Sequence, residues 1–232
     1  MTKEGQLYGL GLGPGDPELV TLKALRLLRA AAVVAYPAPT GGASFARSIV
    51  AEWIAPGQRE IAVDFPMRPG PPPSPIYDSA VAAIAAELDR GADVAFLCQG
   101  DPFFYGTFAA IFTRLAPRYR VTVVPGVSSL TACAAAAATP LAQRDETITV
   151  IPATLPEPEL AARLAAAETA AVIKLGRHVA KVCRVLAALG RLDDAVYVER
   201  ATQARERVGR LAEIDPDSVP YFAMALVRRS RG

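Results

Sequence analysis

VAFLCQGDPFFYG, residues 94–106, is the stretch that decides the predicted fold. Its first five residues form a continuous apolar run, which is typical of a strand buried on both faces. Gly100 and Pro102 end this strand, because glycine permits backbone conformations closed to other residues and proline removes a donor. Apolar side chains then recur at helical spacing from Phe104 to Leu115. The stretch therefore predicts a strand, a sharp turn and a helix. Such a turn is a candidate ligand site in a parallel sheet, although Asp-Pro also simply begins helices.

Two further turns between a strand and a helix have the same character. GLGPGDP, residues 11–17, follows an apolar strand over residues 7–12, and PGVSS, residues 125–129, follows one over residues 121–124. The first turn lacks the dinucleotide fingerprint, since counting to the sixth position from Gly9 or Gly11 reaches Pro14 or Asp16. We therefore expect a ligand close to the backbone, but not a pyrophosphate.

The order of the predicted elements indicates two domains. Strands and helices alternate strictly in the first half of the chain, whereas the second half ends in strands without long helices between them. Two small α/β domains fit this pattern better than one large sheet. We predict an N-terminal α/β domain over residues 1–117 with a mostly parallel sheet. A C-terminal α/β domain with a mixed sheet would follow over residues 118–232.

Composition excludes several classes of protein. The formal net charge is +2 and the basic residues are spread along the chain, which does not indicate nucleic-acid binding. Charged residues interrupt every long apolar stretch, and no signal-peptide pattern is present, so we expect no membrane partner and a cytoplasmic protein. Three cysteines far apart and a single histidine match no zinc or disulfide pattern, so no metal site is predicted.

A proline-rich segment, PMRPGPPPSP at residues 66–75, cannot form regular structure. A loop of this kind inside a compact domain is either a surface excursion or a flap that covers a substrate.

The three turns, in this order and spacing, resemble those of the tetrapyrrole methylase family. Finer features are similar to one branch, the precorrin-2 C20-methyltransferases of cobalamin biosynthesis. They are FPM at 65–67, YD at 77–78, GDPFFYGTF at 100–108, KLGR at 174–177, YVERA at 197–201 and YF at 221–222. The resemblance implies two α/β domains of the class III S-adenosylmethionine methyltransferase type, with the cofactor in the cleft between them. It also implies a homodimer.

The implied reaction is transfer of a methyl group from S-adenosylmethionine to C20 of precorrin-2, giving precorrin-3A and S-adenosylhomocysteine. An electron-rich macrocycle needs mainly alignment and exclusion of water, which suits turns built from backbone atoms. Asp101 and Tyr105 are the candidates to assist proton loss. By resemblance, the cofactor-contacting residues are Leu12, Pro14, Gly100, Asp101, Phe104, Ser128, Ser129, Leu175 and Ala201.

The substrate is a small-molecule tetrapyrrole whose carboxylates call for cations, ideally arginine. Arg47, Arg68, Arg144, Lys174 and Arg177 lie near predicted loops or strand ends. We hypothesise that at least one of Arg144 and Arg177 binds substrate, and that the segment 66–75 is a flap over the macrocycle. The alternatives are a cobalt-loaded substrate, another site of methylation on the ring, or a non-catalytic nucleotide-binding module.

Overall fold

A computed structural model describes residues 4–65 and 74–228 of the chain. The chain divides into two compact units, unit 1 over Met1–Ser128 and unit 2 over Ser129–Gly232. The predicted flap lies almost wholly outside the described residues, and so does Arg68.

Unit 1 is a parallel five-stranded sheet with helices on both faces. Its elements are β1 (Leu7–Gly11), α1 (Leu22–Ala30), β2 (Val33–Pro39), α2 (Phe45–Ile49), β3 (Arg59–Phe65), α3 (Ser74–Asp89), β4 (Val94–Cys98), α4 (Phe108–Leu115) and β5 (Val121–Val124). The strand order is β3-β2-β4-β1-β5, and every neighbouring pair is parallel. This sheet confirms the predicted α/β class.

The two faces of the sheet bury alternate side chains of each strand. Phe96 packs with α3 and α4 on one face, and Leu97 packs with α1 and α2 on the other. All five residues of β4 are buried, as the apolar run predicts. A strand with helices on both faces has no polar side, which explains the unbroken apolar pattern.

Unit 1 extends beyond the predicted domain boundary at residues 117/118. β5 pairs with β1 from Leu7↔Val121 to Leu10↔Val124, so it belongs to the first sheet rather than to the second. The apolar pattern of β5 does not show which sheet the strand joins, because a buried parallel strand has the same pattern in either sheet.

Two local expectations in unit 1 are wrong. Phe104 does not lie on the helix after β4, because α4 begins only at Phe108 and Tyr105 has a φ of +56°. Leucines 19, 22, 25 and 28 recur at helical spacing in the sequence, which predicts that they share the buried face of a helix. Leu22 is nevertheless 85% exposed, because the buried face of α1 is formed by Ala24 and Leu28.

Unit 2 contains a mixed five-stranded sheet, as predicted. Its elements are α5 (Ser129–Ala136), β6 (Ile148–Pro152), α6 (Glu157–Ala166), β7 (Thr169–Ile173), α7 (Val179–Ala188), β8 (Ala195–Glu199), β9 (Arg207–Arg210) and β10 (Ala223–Arg228). The strand order is β6-β7-β10-β8-β9. β6 and β7 are parallel, whereas β10 is antiparallel to β7 and β8. The carboxyl ends of β6, β7 and β8 therefore share one edge with the amino end of β10.

Candidate active site

The three recognisable turns come together at one edge of unit 1. They follow β4, β1 and β5, which are neighbouring parallel strands, so their carboxyl ends meet. Gly13 and Gly100 form an isolated antiparallel bridge, in which the Gly100 N–H donates to the Gly13 carbonyl at 2.7 Å. The Leu12 N–H donates to the Cys98 carbonyl at 2.9 Å, which ties the first turn to the end of β4.

The Asp101 carboxylate joins the second turn to the third. Oδ2 accepts the Gly126 N–H at 3.1 Å, and Oδ1 accepts the Phe103 N–H at 2.9 Å. Each oxygen therefore holds a backbone amide, and hydrogen bonds of this kind to a charged group are strong ones. This geometry gives Asp101 a positioning role.

Glycines allow the first and third turns to touch through their backbones. A Cβ on Gly126 would lie 2.2 Å from the Gly100 carbonyl oxygen and 2.8 Å from Gly11 Cα. A Cβ on Gly11 would lie 2.4 Å from the Gly126 nitrogen. Side chains at these two positions would therefore push apart the backbone of the turns.

Gly100 is different, because a Cβ there would meet nothing within 4 Å. Its φ of +70° explains the glycine, and the open space beside it leaves room for a ligand against the backbone. Leu12 and Pro14 lie in the turn that follows β1, and both are buried. Phe104, in the turn after β4, is half-buried. These residues suit a ligand recognised through backbone groups and apolar contact, which is compatible with the methionine part of S-adenosylmethionine.

Tyr105 extends from the same turn. It is 51% exposed, and its ring lies edge-on to that of Phe104 at 5.1 Å between centroids. Tyr105 is not glycine, yet it adopts a left-handed conformation, a strain that clusters at functional sites. The hydroxyl makes Tyr105 a candidate from its residue type alone, but tyrosine gives no signal for this backbone conformation.

Cys98, directly before the second turn, is a packing residue. It is buried, and burial raises the pKa of its thiol well above the ordinary value, with the Asp101 charge adding to the effect. A thiol kept protonated in this way is a poor nucleophile.

A second group of left-handed residues lies at the edge of unit 2 defined above. Lys174 follows β7 with a φ of +57°, and Arg200 and Thr202 follow β8 with φ values of +48° and +68°. Leu175 and Ala201 lie in these same two turns and are both buried. Sequence reasoning selected Leu175 and Ala201 by resemblance but missed the conformation of their neighbours.

A buried ionic network ends β8. The Tyr197 hydroxyl donates to Glu199 Oε2, and Arg200 Nη1 lies 3.2 Å from Glu199 Oε1. Glu199 is only 6% exposed, so both partners compensate for the cost of burying its charge. Burial, followed by the Glu199 contact, raises the pKa of the Tyr197 phenol.

The candidate substrate cations fall in three different settings. Arg47 forms a two-pronged ion pair with Glu60, with an Nε–Oε2 distance of 2.5 Å. Arg177 is exposed just after β7, within 3.5 Å of His178 Nε2, and lies at the same edge as Lys174. Arg144 is exposed in a turn before β6, next to Glu146, which pairs with Arg228 at the far end of β10.

Arg144 and Arg177 are therefore not brought together, since they lie towards opposite ends of the sheet in unit 2. Ser128 is half-buried at the end of unit 1 and Ser129 is exposed at the start of unit 2. Within unit 1, backbone hydrogen bonds join Leu12 to Cys98 and Gly13 to Gly100, and the Asp101 carboxylate accepts the Gly126 N–H.

Residues 4–65 and 74–228 contain no group of three or more histidine, cysteine or acidic side chains placed to hold a metal ion. No helix in these ranges is long and apolar enough to cross a membrane.

A parallel sheet with three glycine-rich turns at one edge, followed by a mixed sheet, defines a class of enzymes with two α/β units. Residues 6–215 match the model of the family described as Tetrapyrrole (Corrin/Porphyrin) Methylases. The chain belongs to this family.

Characterised relatives match along the whole chain. The cobalamin biosynthesis protein CobIJ of Mycobacterium tuberculosis is 45% identical over all of this chain. The match covers 47% of CobIJ, so the chain spans about half the length of that relative. The precorrin-2 C(20)-methyltransferase of a Sinorhizobium species is 41% identical, over 96% of this chain and 95% of its own. The cobalt-precorrin-2 C(20)-methyltransferase of Salmonella typhimurium is 33% identical, over 97% of both.

Solved structures have the same fold. The cobalt precorrin-4 methyltransferase CbiF superposes with a TM-score of 0.76 and 28% identity, covering 96% of this chain and 94% of its own. A uroporphyrin-III C-methyl transferase from Thermus thermophilus, complexed with S-adenosylhomocysteine, superposes with a TM-score of 0.69 and 27% identity, covering 97% of both chains.

Proposed function

We propose that the chain is a methyltransferase that transfers a methyl group from S-adenosylmethionine to C20 of precorrin-2, giving precorrin-3A in cobalamin biosynthesis. The observation that carries the proposal is the 41% identity to a precorrin-2 C(20)-methyltransferase over nearly the full length of both proteins. The three joined turns of unit 1 support the proposal, because they leave open space beside the Gly100 backbone for the cofactor.

Each turn has a separate task in this proposal. The sulfonium of S-adenosylmethionine supplies the methyl group. Gly100 leaves open space for the methionine part beside the backbone, and Leu12 and Pro14 exclude water from it. Asp101 holds the turn in register through Gly126 and Phe103, so that the reacting atoms are aligned.

The remaining predicted contacts complete the cofactor site. Ser128 and Ser129 supply hydroxyls at the start of α5, and the two turns that contain the buried Leu175 and Ala201 flank the adenine in this proposal. Tyr105 is the candidate to relay to solvent the proton that leaves the methylated carbon: its oxygen takes up that proton as its own hydroxyl proton passes to water. The Asp101 carboxylate is instead held by two backbone amides.

The test is an incubation with S-adenosylmethionine and enzymatically made precorrin-2, followed by mass spectrometry and NMR with a labelled methyl group. One added methyl at C20 is the expected result. Methylation at another carbon would keep the family and overturn the C20 assignment. Cofactor binding without any transfer to a tetrapyrrole would favour a non-catalytic nucleotide-binding module.

A second candidate substrate is cobalt-precorrin-2, because the Salmonella relative carries that name and is 33% identical over almost the whole chain. Parallel incubations with the metal-free and the cobalt-loaded ring decide between them by the ratio of kcat/KM. The higher identity of the Sinorhizobium relative favours the metal-free ring.

We also propose that the enzyme acts in the cytoplasm as a homodimer, on the strength of the family resemblance. Light scattering of the purified chain checks the dimer, and fractionation of the producing cell checks the location. A monomer at micromolar concentration would refute the first part.

A further inference from the structure

Two exposed aromatic side chains lie at the edge of unit 2 where β7 and β8 end and β10 begins. Tyr221 is 62% exposed and Phe222 is 37% exposed, and both directly precede β10. Their rings are nearly perpendicular, at 77°, with centroids 5.1 Å apart. Exposed aromatic side chains of this size offer apolar surface on which a ligand ring can pack.

The backbone of this pair is held firmly by the two turns that contain left-handed residues. The Arg200 N–H donates to the Phe222 carbonyl at 2.8 Å, which extends the β8–β10 ladder by one residue. On the other side, a Cβ on Gly176 would lie 3.9 Å from Tyr221 Cα, so the turn after β7 packs against the backbone there. The aromatic pair is therefore presented from a fixed position.

The exposed cations beside the pair lie in the turn after β7, whereas the turn after β8 also contains Glu206, which accepts the Thr202 N–H. Lys174 and Arg177 are both exposed in the turn after β7, on one side of the pair. On the other side, Arg200 faces Glu199, whose buried carboxylate is already held by Tyr197 and Arg200. A ligand for this surface needs a broad apolar ring for the aromatics and anionic groups for the cations.

We infer that Tyr221 and Phe222 form the contact for one face of the tetrapyrrole ring, with Lys174 and Arg177 binding its carboxylates. The inference rests on the proposed function for the choice of ligand. Perpendicular rings form a corner, in which a broad ring lies against one aromatic face and its rim meets the other ring. A peripheral carboxylate then reaches the cations, which gives recognition of both the ring and its charge.

The experiment measures binding directly rather than turnover. Sirohydrochlorin, the stable oxidised form of precorrin-2, is titrated into the full chain and followed by its absorbance. Tyr221→Ala and Phe222→Ala are compared with the wild type, and Tyr221→Phe keeps the ring. Val208→Ala is the matched control, because Val208 is 40% exposed in the same unit but lies on β9.

We expect Tyr221→Ala to raise the Kd for sirohydrochlorin about three- to tenfold, which is the range for one aromatic contact. Tyr221→Phe and Val208→Ala should change it less than twofold. The Kd for S-adenosylhomocysteine should stay unchanged in every variant. The Tyr221 side chain is mostly exposed, so Tyr221→Ala should keep the wild-type Tm and remain informative if Phe222→Ala does not fold.

Three results would overturn the inference. One is an unchanged Kd for sirohydrochlorin in both alanine variants, or no binding by the wild type. Another is a change in affinity for S-adenosylhomocysteine alone, which would assign the pair to the cofactor. The third is a loss of oligomer mass with unchanged tetrapyrrole binding, which would make the pair a subunit contact.

Failure of the proposed function is seen separately. A wild type that binds sirohydrochlorin but methylates precorrin-2 elsewhere than at C20 would overturn the regiochemistry, while the effect of Tyr221→Ala on the Kd would still support the aromatic contact.

Discussion

Replacing Asp101 by asparagine separates a positioning role from a catalytic one. The carboxylate accepts one backbone amide on each oxygen, from Gly126 and from Phe103. Asparagine has one carbonyl oxygen, so it can keep one of these hydrogen bonds. Its NH₂ group then faces the other amide, donor against donor.

The magnitude follows from the bond that is lost. A hydrogen bond to a charged group contributes about 1.5–3 kcal/mol, and the half-buried position of Asp101 puts its loss near the lower value, since water can reach the site. We therefore expect Asp101→Asn to lower the free energy of unfolding by about 1.5 kcal/mol and the Tm by about 3–6 °C. Asp101→Ala, which loses both bonds, should cost about twice as much.

The assays are thermal unfolding, calorimetric titration with S-adenosylhomocysteine, and turnover of precorrin-2. Because the second and third turns would separate, we expect Asp101→Asn to weaken S-adenosylhomocysteine binding about tenfold, equivalent to about 1.4 kcal/mol. Asp64→Asn is the control, since Asp64 is exposed on β3. Unchanged Tm and affinity with kcat reduced about 100-fold or more would refute the positioning role and make Asp101 a general base.

The remaining predictions concern the turns, the substrate cations and the buried thiols. Gly126→Ala should reduce stability by about 1–3 kcal/mol and weaken cofactor binding, because its Cβ would meet the Gly100 carbonyl at 2.2 Å; Gly209→Ala, with its nearest contact at 3.8 Å, is the control in the same denaturation and titration assays. Arg177→Ala should raise the KM for the tetrapyrrole with kcat unchanged, whereas Arg144→Ala should not; unchanged KM in both would end the hypothesis that either binds substrate. Burial, followed by the charge of Glu206, raises the pKa of Cys133 from about 9 in the unfolded chain to about 12 in the folded one. The folded state therefore favours the protonated thiol, so this contribution to the free energy of unfolding is complete below pH 9 and is lost as the pH rises towards 12. Denaturation midpoints at pH 8 and pH 10.5 check this, and Cys133→Ala should flatten part of the decline.

The sequence predicts the parts of unit 1 that depend on local chemistry. The apolar run of β4 and the glycines and prolines after β1, β4 and β5 are visible directly, because a doubly covered strand and a tight turn each demand particular residue types. The contact that joins the turns is not visible. The Asp101–Gly126 hydrogen bond exists only because β5 pairs with β1, and the predicted boundary at 117/118 assigned β5 to the other domain.

The sequence also fails where an ordinary residue adopts an unusual conformation. Phe104 continues the helical spacing of α4, but the left-handed Tyr105 and the following Gly106 delay the helix to Phe108. Lysine is not a residue type that indicates a positive φ, so in the sequence the turn at Lys174 looks like a simple continuation of β7. Tertiary contacts decide such positions, and local propensity is too weak to reveal them.

The left-handed residues bear on function only together with their position in the fold. Tyr105 follows the carboxyl end of a strand in unit 1, and Lys174, Arg200 and Thr202 follow the carboxyl ends of strands in unit 2. Each such residue costs about 1–2 kcal/mol, a cost that glycine would avoid. Glycine occupies positions 13 and 100, which also have positive φ values and lie at the same edge as Tyr105. The chain therefore has glycine at left-handed positions where no side chain is needed. Ala138 and Arg144 are also left-handed but lie between α5 and β6, so a positive φ alone does not mark a functional side chain. The proposed task of Lys174, the binding of a substrate carboxylate, rests instead on its exposed position at the same edge as Arg177.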